Sequence, residues 1–334
     1  MLALPTILRV RVPRPTVPVP SRRVRARRAI AFGAAFTVLL AVVGIGLIEK
    51  YRLDTIDREY AQRLELLKTA TAEHPDRPLL LAVGSSRMVH ALSPELLTPL
   101  TTADGRTALP FNYGHFGAGP IYSYLALHRL FEAGVRPKWV LFELMPGFFP
   151  RENARMVSSL CTARDAIRGG RYYSTTGELE WEYTRWRTVR LPDLASRAVK
   201  PIEFPTPLGP LGGYGAHKKS VTTEERAALM AQQAGHFSWV MRNWKPSDGG
   251  RRAIFDSLEL CRKHGAEVRF VVLPEGGDHR AMYGPGSIER VDEHLRNLGA
   301  ETGIPITDAR GWLTEDDFTD SHHELERGAI AFTD

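Results

Sequence analysis

The segment Leu79-Leu80-Leu81-Ala82-Val83-Gly84-Ser85-Ser86-Arg87 decides how this chain is read. Five apolar residues end abruptly at Gly-Ser-Ser, the pattern of a short buried strand running into a turn. Working outward, Leu109–Tyr113, Trp139–Leu144, Glu267–Leu273 and Pro305–Asp308 read as four further strands. Between them, Tyr122–Ala133 is amphipathic and stops at Gly134. Ser257–His264 stops at Gly265, and Ile288–Thr302 stops at Gly303. Strands alternating with helices predict an α/β fold: a doubly wound, mostly parallel five-stranded sheet. Sites in such sheets lie beyond the carboxyl ends of the strands. Gly84-Ser85-Ser86, Gly114 and Glu143 fall at such ends, and Asp308 closes the last strand.

The net charge of +6 is misleading. Residues 1–28 hold eight Arg and no acid, and setting those aside leaves 36 basic against 38 acidic residues. The remainder is slightly acidic, which argues against nucleic acid as a partner. Cys161 and Cys261 are the only cysteines; they allow either a disulfide or buried free thiols. No Cys/His cluster has zinc spacing, Asp278, His279, His322 and His323 form no metal pattern, and nothing calls for a cofactor.

Residues 29–48 form an uncharged, mostly apolar run of 20, long enough to cross a bilayer as a helix. Arg22, Arg23, Arg25, Arg27 and Arg28 crowd its N-terminal side. The positive-inside bias keeps the basic, Pro-rich tail 1–28, expected to be disordered, in the cytoplasm and sends the rest outside. The competing reading is a cleaved signal peptide, but the apolar run is long for one and no clean small-x-small site follows it. The expectation is a single-pass membrane anchor, with the bilayer as a partner and the main domain extracytoplasmic.

Residues 49–77 are expected to form a helical stalk, with Leu53, Ile56, Tyr60, Leu64 and Leu67 at helical spacing. The main domain follows from residue 78. Its alternation breaks between about 150 and 248, where a largely helical cap insertion is expected. That insertion carries Tyr172, Tyr173, Trp181, Tyr183, Trp186, Trp239 and Trp244. These aromatics either pack the insertion's own core or stack on carbohydrate. Asp334 leaves about ten residues after His323, so the last helix is expected to be short, the chain being truncated or that helix poorly packed.

The chemistry lies in Phe318-Thr319-Asp320-Ser321-His322-His323. A serine hydroxyl is a poor nucleophile until a base takes its proton, and imidazole has the pKa for this. An acid on the other ring nitrogen fixes the tautomer. Asp320 precedes His323 by three residues, so both side chains can turn toward one pocket. His322 is an alternative base and Ser85 an alternative nucleophile to Ser86. The Gly-rich stretch Asn112-Tyr113-Gly114-His115-Phe116-Gly117 could aim N–H groups at an oxyanion. Arg87, Glu143 and Glu275 are possible substrate contacts, and Arg87 could equally pair with a local acid.

Taken in order, Gly-Ser-Ser-Arg after strand one, Asn-x-Gly-x-x-Gly after strand two and Asp-x-x-His before the last helix resemble the SGNH (GDSL-like) hydrolase superfamily. The anchor and the first block resemble its extracytoplasmic acyl-transfer branch, which includes the lipoteichoic acid D-alanylation protein and alginate-type polysaccharide O-acetyltransferases. The resemblance covers roughly 78–148 and 250–334. By position it implies Ser86 as nucleophile, His323 as base, Asp320 as its acid, and Gly114 with the Ser86 N–H as oxyanion donors. Two departures stand out. Ser85 occupies a position where many relatives have Asp, and Phe142-Glu143-Leu144-Met145-Pro146 lacks the usual third-block Asn. Asn112 is the substitute donor to examine. The implied function is a membrane-anchored serine esterase or O-acyltransferase acting on cell-envelope or exported polysaccharide. Its substrate would be a glycan or acylated small molecule, with an integral membrane acyl-donor protein as a further partner. The alternative is a catalytically inactive SGNH-fold scaffold or polysaccharide-binding protein.

Overall fold

The computed structural model describes residues 21–150, 154–200 and 206–334. The chain divides into an N-terminal unit ending at Gly46 and a second unit, Leu47–Asp334. Helix α1, Arg22–Tyr51, has 30 residues, none buried, and is long and apolar enough to cross a membrane. It begins earlier than the uncharged run because arginine is itself a good helix former and continues the helix outward. The expected disordered tail is thus helical from Arg22; residues 1–20 lie outside the described residues.

In the second unit the order is α2 (Arg58–Glu73), β1 (Leu79–Gly84), α3 (Ser86–Ala91), β2 (Leu109–Gly114), α4 (Pro120–Glu132) and β3 (Trp139–Glu143). The insertion follows as α5 (Ala154–Leu160), α6 (Ala163–Gly169), α7 (Glu178–Ala198) and α8 (Thr223–Arg242). Then come α9 (Asp248–Lys263), β4 (Glu267–Val272), α10 (Gly277–Arg280), α11 (Ser287–Thr302), β5 (Ile306–Asp308) and α12 (Glu326–Thr333). The five strands form one all-parallel sheet in the order β2-β1-β3-β4-β5.

Alternation along the strands sorts the core into two layers. Leu81, Val83, Phe111, Tyr113, Val140, Phe142, Val268 and Phe270 pack in one cluster with side chains of α2, α4, α9 and α11. Ala82 and Val271 pack with Met88, Ala91 and Leu92 of α3 and its C-cap, and Phe332 of α12 joins them. Although short, α12 is well packed: Ala329 and Thr333 are buried, and the Thr333 Oγ1 accepts from Ser93 N at 3.0 Å.

α2 is not a stalk. Tyr60, Leu67 and Ala70 lie in the main core, and the buried Arg63 donates to Gly114 O at 2.5 Å. A helix with an apolar stripe needs a surface to bury it on, and here that surface is the sheet. Helices α5–α8 occupy the stretch where a cap was expected, and their placements diverge. α5–α7 buttress α4 and α9 through Arg129–Asp165 (2.7 Å) and Tyr172–Asp256 (2.6 Å). α8 and the loop around 206–217 instead reach the strand ends. Tyr172, Tyr173 and Trp244 are buried in the protein's own packing, while Trp181 and Trp239 are exposed. Cys161 and Cys261 are buried free thiols.

A buried ionic chain ties these layers together. Asp57, the N-cap of α2, accepts from Tyr60 N (3.1 Å), Tyr122 Oη (2.6 Å) and Arg129 Nη1 (2.8 Å), and lies 3.0 Å from His115 Nε2. Burial alone would push the Asp57 carboxyl up, but the charges of His115 and Arg129 and these hydrogen bonds hold it well below its usual range. Burial likewise opposes a charged His115, and the neighbouring Glu59 and Asp57 overcome it and raise its pKa. The linkage signs follow from these directions. The His115 contribution is complete below about pH 6.5 and is lost as pH rises through its raised folded value. The Asp57 contribution is complete above about pH 3.9 and is lost only as pH falls through its depressed folded value. The pair therefore stabilises most in mildly acidic solution. His115→Gln is expected to flatten the decline of the thermal midpoint as pH rises above about 6.5; an unchanged slope would refute this assignment.

Candidate active site

β1 delivers its last residues into the crevice where strand order reverses, between β1 and β3. Ser85 caps α3: its Oγ accepts from Arg87 N at 3.1 Å and donates to Glu143 Oε1 at 3.0 Å, while its N–H donates to Glu143 Oε2 at 2.5 Å. Ser85 is buried and fully engaged as a cap, which removes it as a nucleophile. Ser86 opens α3, is partly exposed, and points its Oγ at His323.

The Asp/His loop arrives from the far edge of the sheet, after β5. It closes as a tight turn: Phe318 and Glu324 bridge antiparallel, and Thr319 N donates to His323 O at 2.8 Å. Ser321, at its apex, has a φ of 68°. That left-handed conformation costs a non-glycine residue about 1 kcal/mol. Bonds hold it in place: Ser321 Oγ donates to Glu315 Oε2 (2.8 Å) and accepts from His279 N (2.8 Å). The turn directs Asp320 Oδ1 at His323 N (2.9 Å) and Oδ2 at His323 Nδ1 (2.8 Å). His323 Nε2 lies 2.7 Å from Ser86 Oγ. With neutral His323, this network assigns the proton to Nδ1, leaving Nε2 to accept from the serine hydroxyl. Asp320 is buried, which alone would raise its pKa; the charge of His323 and the hydrogen bonds it donates hold the carboxyl far below its usual range.

His322 points elsewhere. Its ring is buried between His279 (centroids 4.8 Å apart) and His323 (4.0 Å), and burial with the adjacent His323 charge holds its pKa well below 6.5. Asp320, His322 and His323 bring metal-type ligand atoms within 4.8 Å of one another. Both His323 ring nitrogens are engaged here, Nδ1 with Asp320 and Nε2 with Ser86.

The expected oxyanion donors fare differently. Gly114 N donates to Asn112 Oδ1 at 2.9 Å. The Asn112 amide donates to Met88 O and Leu92 O, both at 2.7 Å. Gly114 and Asn112 are therefore spent on fixing β2 against α3, because buried polar groups must be paired. Of the expected set, only the Ser86 N–H has no acceptor among the described residues.

The three expected substrate contacts are buried supports instead. Arg87, fully enclosed, donates from Nη2 to Leu273 O and Pro274 O (both 2.6 Å) and from Nη1 to Glu275 Oε1 (3.4 Å). Glu143 is committed to Ser85, and Glu275 to Arg87 and to Tyr283 Oη (3.3 Å). A strand-end position does not distinguish a side chain facing solvent from one turned beneath the site. Burial raises the pKa of Glu143, Glu275 and the neighbouring Glu324, with Arg87 opposing the rise at each.

Several residues at the site were not anticipated. Gln233 of α8 donates to Asp320 Oδ2 at 3.0 Å. His90, one helical turn after Ser86, sits 4.9 Å from the His323 ring, with Tyr214 (4.3 Å), His217 (5.6 Å) and Phe116 (5.7 Å) around it. Burial, then the nearby His323 and His217, lower the His90 pKa to about 2, so it is neutral. The i, i+4 relation of Ser86 and His90 was readable; the approach of Tyr214 and His217 depends on loop packing and was not.

No protein-family model matches the chain, and no curated protein matches it either. The site thus stands on its own geometry: a partly exposed serine hydroxyl, an imidazole and a buried carboxylate in series.

Proposed function

We propose that this protein is a membrane-anchored serine acyl-transfer enzyme of SGNH type, working through an acyl-Ser86 intermediate. The observation that carries the reading is the chain Ser86 Oγ–His323–Asp320, at 2.7 and 2.8 Å. His323 Nε2 takes the proton of Ser86 as Oγ attacks the acyl carbon, and the oxyanion accepts from the Ser86 N–H. The imidazolium, steadied by Asp320, then protonates the departing oxygen as its bond to the acyl carbon breaks. In the second half, His323 deprotonates the acceptor hydroxyl. That oxygen attacks the acyl carbon, the bond from the acyl carbon to Ser86 Oγ breaks, and the His323 imidazolium returns its proton to Oγ. Water as acceptor gives an esterase; a sugar hydroxyl gives an O-acyltransferase. By its resemblance, the chain would act on cell-envelope or exported polysaccharide outside the membrane, with α1 as a single-pass anchor. α8 and the 206–217 loop would form the rim of the acceptor site. An integral membrane acyl-donor protein belongs to the same reading.

A second reading, an inactive fold that binds polysaccharide, draws on the spent Gly114 and Asn112 donors. Losing one oxyanion donor typically costs ~10²–10³ in rate, so turnover of simple esters is expected to be slow. The two readings separate on labelling. The full chain in detergent is incubated with an active-site fluorophosphonate and digested for mass spectrometry. The enzyme reading expects the adduct on Ser86 and its loss in His323→Ala. Absence of any Ser86 adduct, together with no hydrolysis of an activated acetyl ester, leaves the binding reading.

A further inference from the structure

We infer that α7 forms a second membrane contact of the extracytoplasmic domain, seated in the lipid headgroup layer; this rests on α1 being a bilayer span. The uncharged run ends at Ile48, and the next charged residue, Glu49, is locked to the insertion. Its carboxylate accepts from Tyr183 Oη (2.6 Å), Arg187 Nε (3.4 Å) and Ala163 N (2.9 Å). Three residues on, Arg52 donates to Arg197 O (3.4 Å), Lys200 O (3.1 Å) and Ala198 O. The residues that leave the bilayer thus grip α7 near its middle and at its C-terminal end, over residues 183–200, and neither point can swing away from the surface. Chain continuity then holds this helix within the headgroup region.

The free face of α7 has the composition for that place. Trp181, Arg185, Val189, Pro192, Ser196 and Val199 follow one another at three- or four-residue spacing, and all are exposed. Trp181 is 67% exposed, Val189 70% and Val199 85%. Isolated exposed apolar residues are ordinary, but a stripe on one helix face that carries no acid is a surface for a partner. Beside it on α6, Ile167 is exposed at 74%, as is the Arg164 side chain. Tryptophan with aliphatic and cationic neighbours is the make-up of interfacial helices, which lie with their apolar face some 5–10 Å into the headgroup boundary. The occupant we assign is the bilayer surface, with anionic headgroups favoured by Arg164, Arg185 and the nearby Lys200.

Single cysteines in the full chain test this, since Cys161 and Cys261 are both buried and inaccessible to label. Nitroxides are placed at Val189→Cys and Val199→Cys, at Val38→Cys inside the anchor, and at Lys263→Cys, exposed on α9. Collision rates with oxygen and with a water-soluble nickel chelate are read in nanodiscs holding one copy each. The expected result is higher oxygen and lower nickel accessibility at 189 and 199 than at 263. The difference should grow when phosphatidylcholine is replaced by phosphatidylglycerol. Aqueous values at 189 and 199 with an immersed 38 overturn the α7 contact alone. An aqueous 38 overturns the anchor, and the contact with it. Protection of 189 and 199 that appears only in discs with two copies overturns the lipid assignment in favour of self-association.

Discussion

Ser86→Ala and His323→Ala are each expected to lower ester turnover by up to about 10⁶-fold, and the double substitution should do no further harm. The reason is geometric. The hydroxyl and its base form one proton-transfer unit at 2.7 Å, and either half without the other is as inert as neither. Asp320→Asn should lose about 10⁴-fold, because an amide in that position no longer enforces the proton on Nδ1. His322→Gln should retain most activity, since His322 faces His279 and Phe237 and makes no bond to Ser86. Steady-state rates on an activated acetyl ester, with thermal midpoints to certify folding, decide the matter. Additive losses in the double variant, or a dead His322→Gln beside an active His323→Ala, would mean that the relay is not the engine of the reaction.

Arg87→Met is expected to destabilise the fold by about 3–5 kcal/mol, the cost of removing one partner from a buried ionic group. Arg87 is the positive charge set against Glu143, Glu275 and Glu324, all buried, and both Glu324 carboxyl oxygens lack a hydrogen-bond partner among the described residues. Its loss would also orphan Leu273 O and Pro274 O. For a domain of this size the thermal midpoint should fall by roughly 6–20 °C. The pH dependence identifies the cause. Each of the three carboxyls already has a raised pKa, so acid neutralises them and shrinks the deficit, whereas alkali enlarges it. A deficit equal at pH 5 and pH 8 would point to lost packing instead of uncompensated charge. Because α3 carries both Arg87 and Ser86, loss of activity in this variant is expected to accompany the loss of stability.

The strands were legible because each is a compact apolar run ended by a turn residue, and β1 to β5 lie within a residue or so of the expected runs. Helices were less so. α9 begins at Asp248, well before the expected Ser257, and its first turn holds Gly249 and Gly250. Both glycines are buried, and a side chain at Gly250 would come 3.1 Å from Ser247 Oγ, a close approach that favours glycine there. α2 packs on the sheet and not as a stalk because helical spacing reveals that a face is apolar and not what covers it. The Ser, His and Asp of the site were readable from residue type and order. The fates of Gly114, Asn112, Arg87, Glu143 and Glu275 were not, since each depends on which neighbour satisfies it in three dimensions.

The spacing of the relay along the chain bears on when it can act. Ser86 and His323 are 237 residues apart, and two strands, β3 and β4, lie between the strands that precede them. Synthesis at about 5–20 residues per second separates their appearance by roughly 10–50 s. Throughout that interval the emerging serine has no base and stays chemically silent, whatever esters it passes. On the proposed function, the site is therefore armed only once the Asp320–His323 segment has been made, and a chain halted before that point would carry Ser86 without its base.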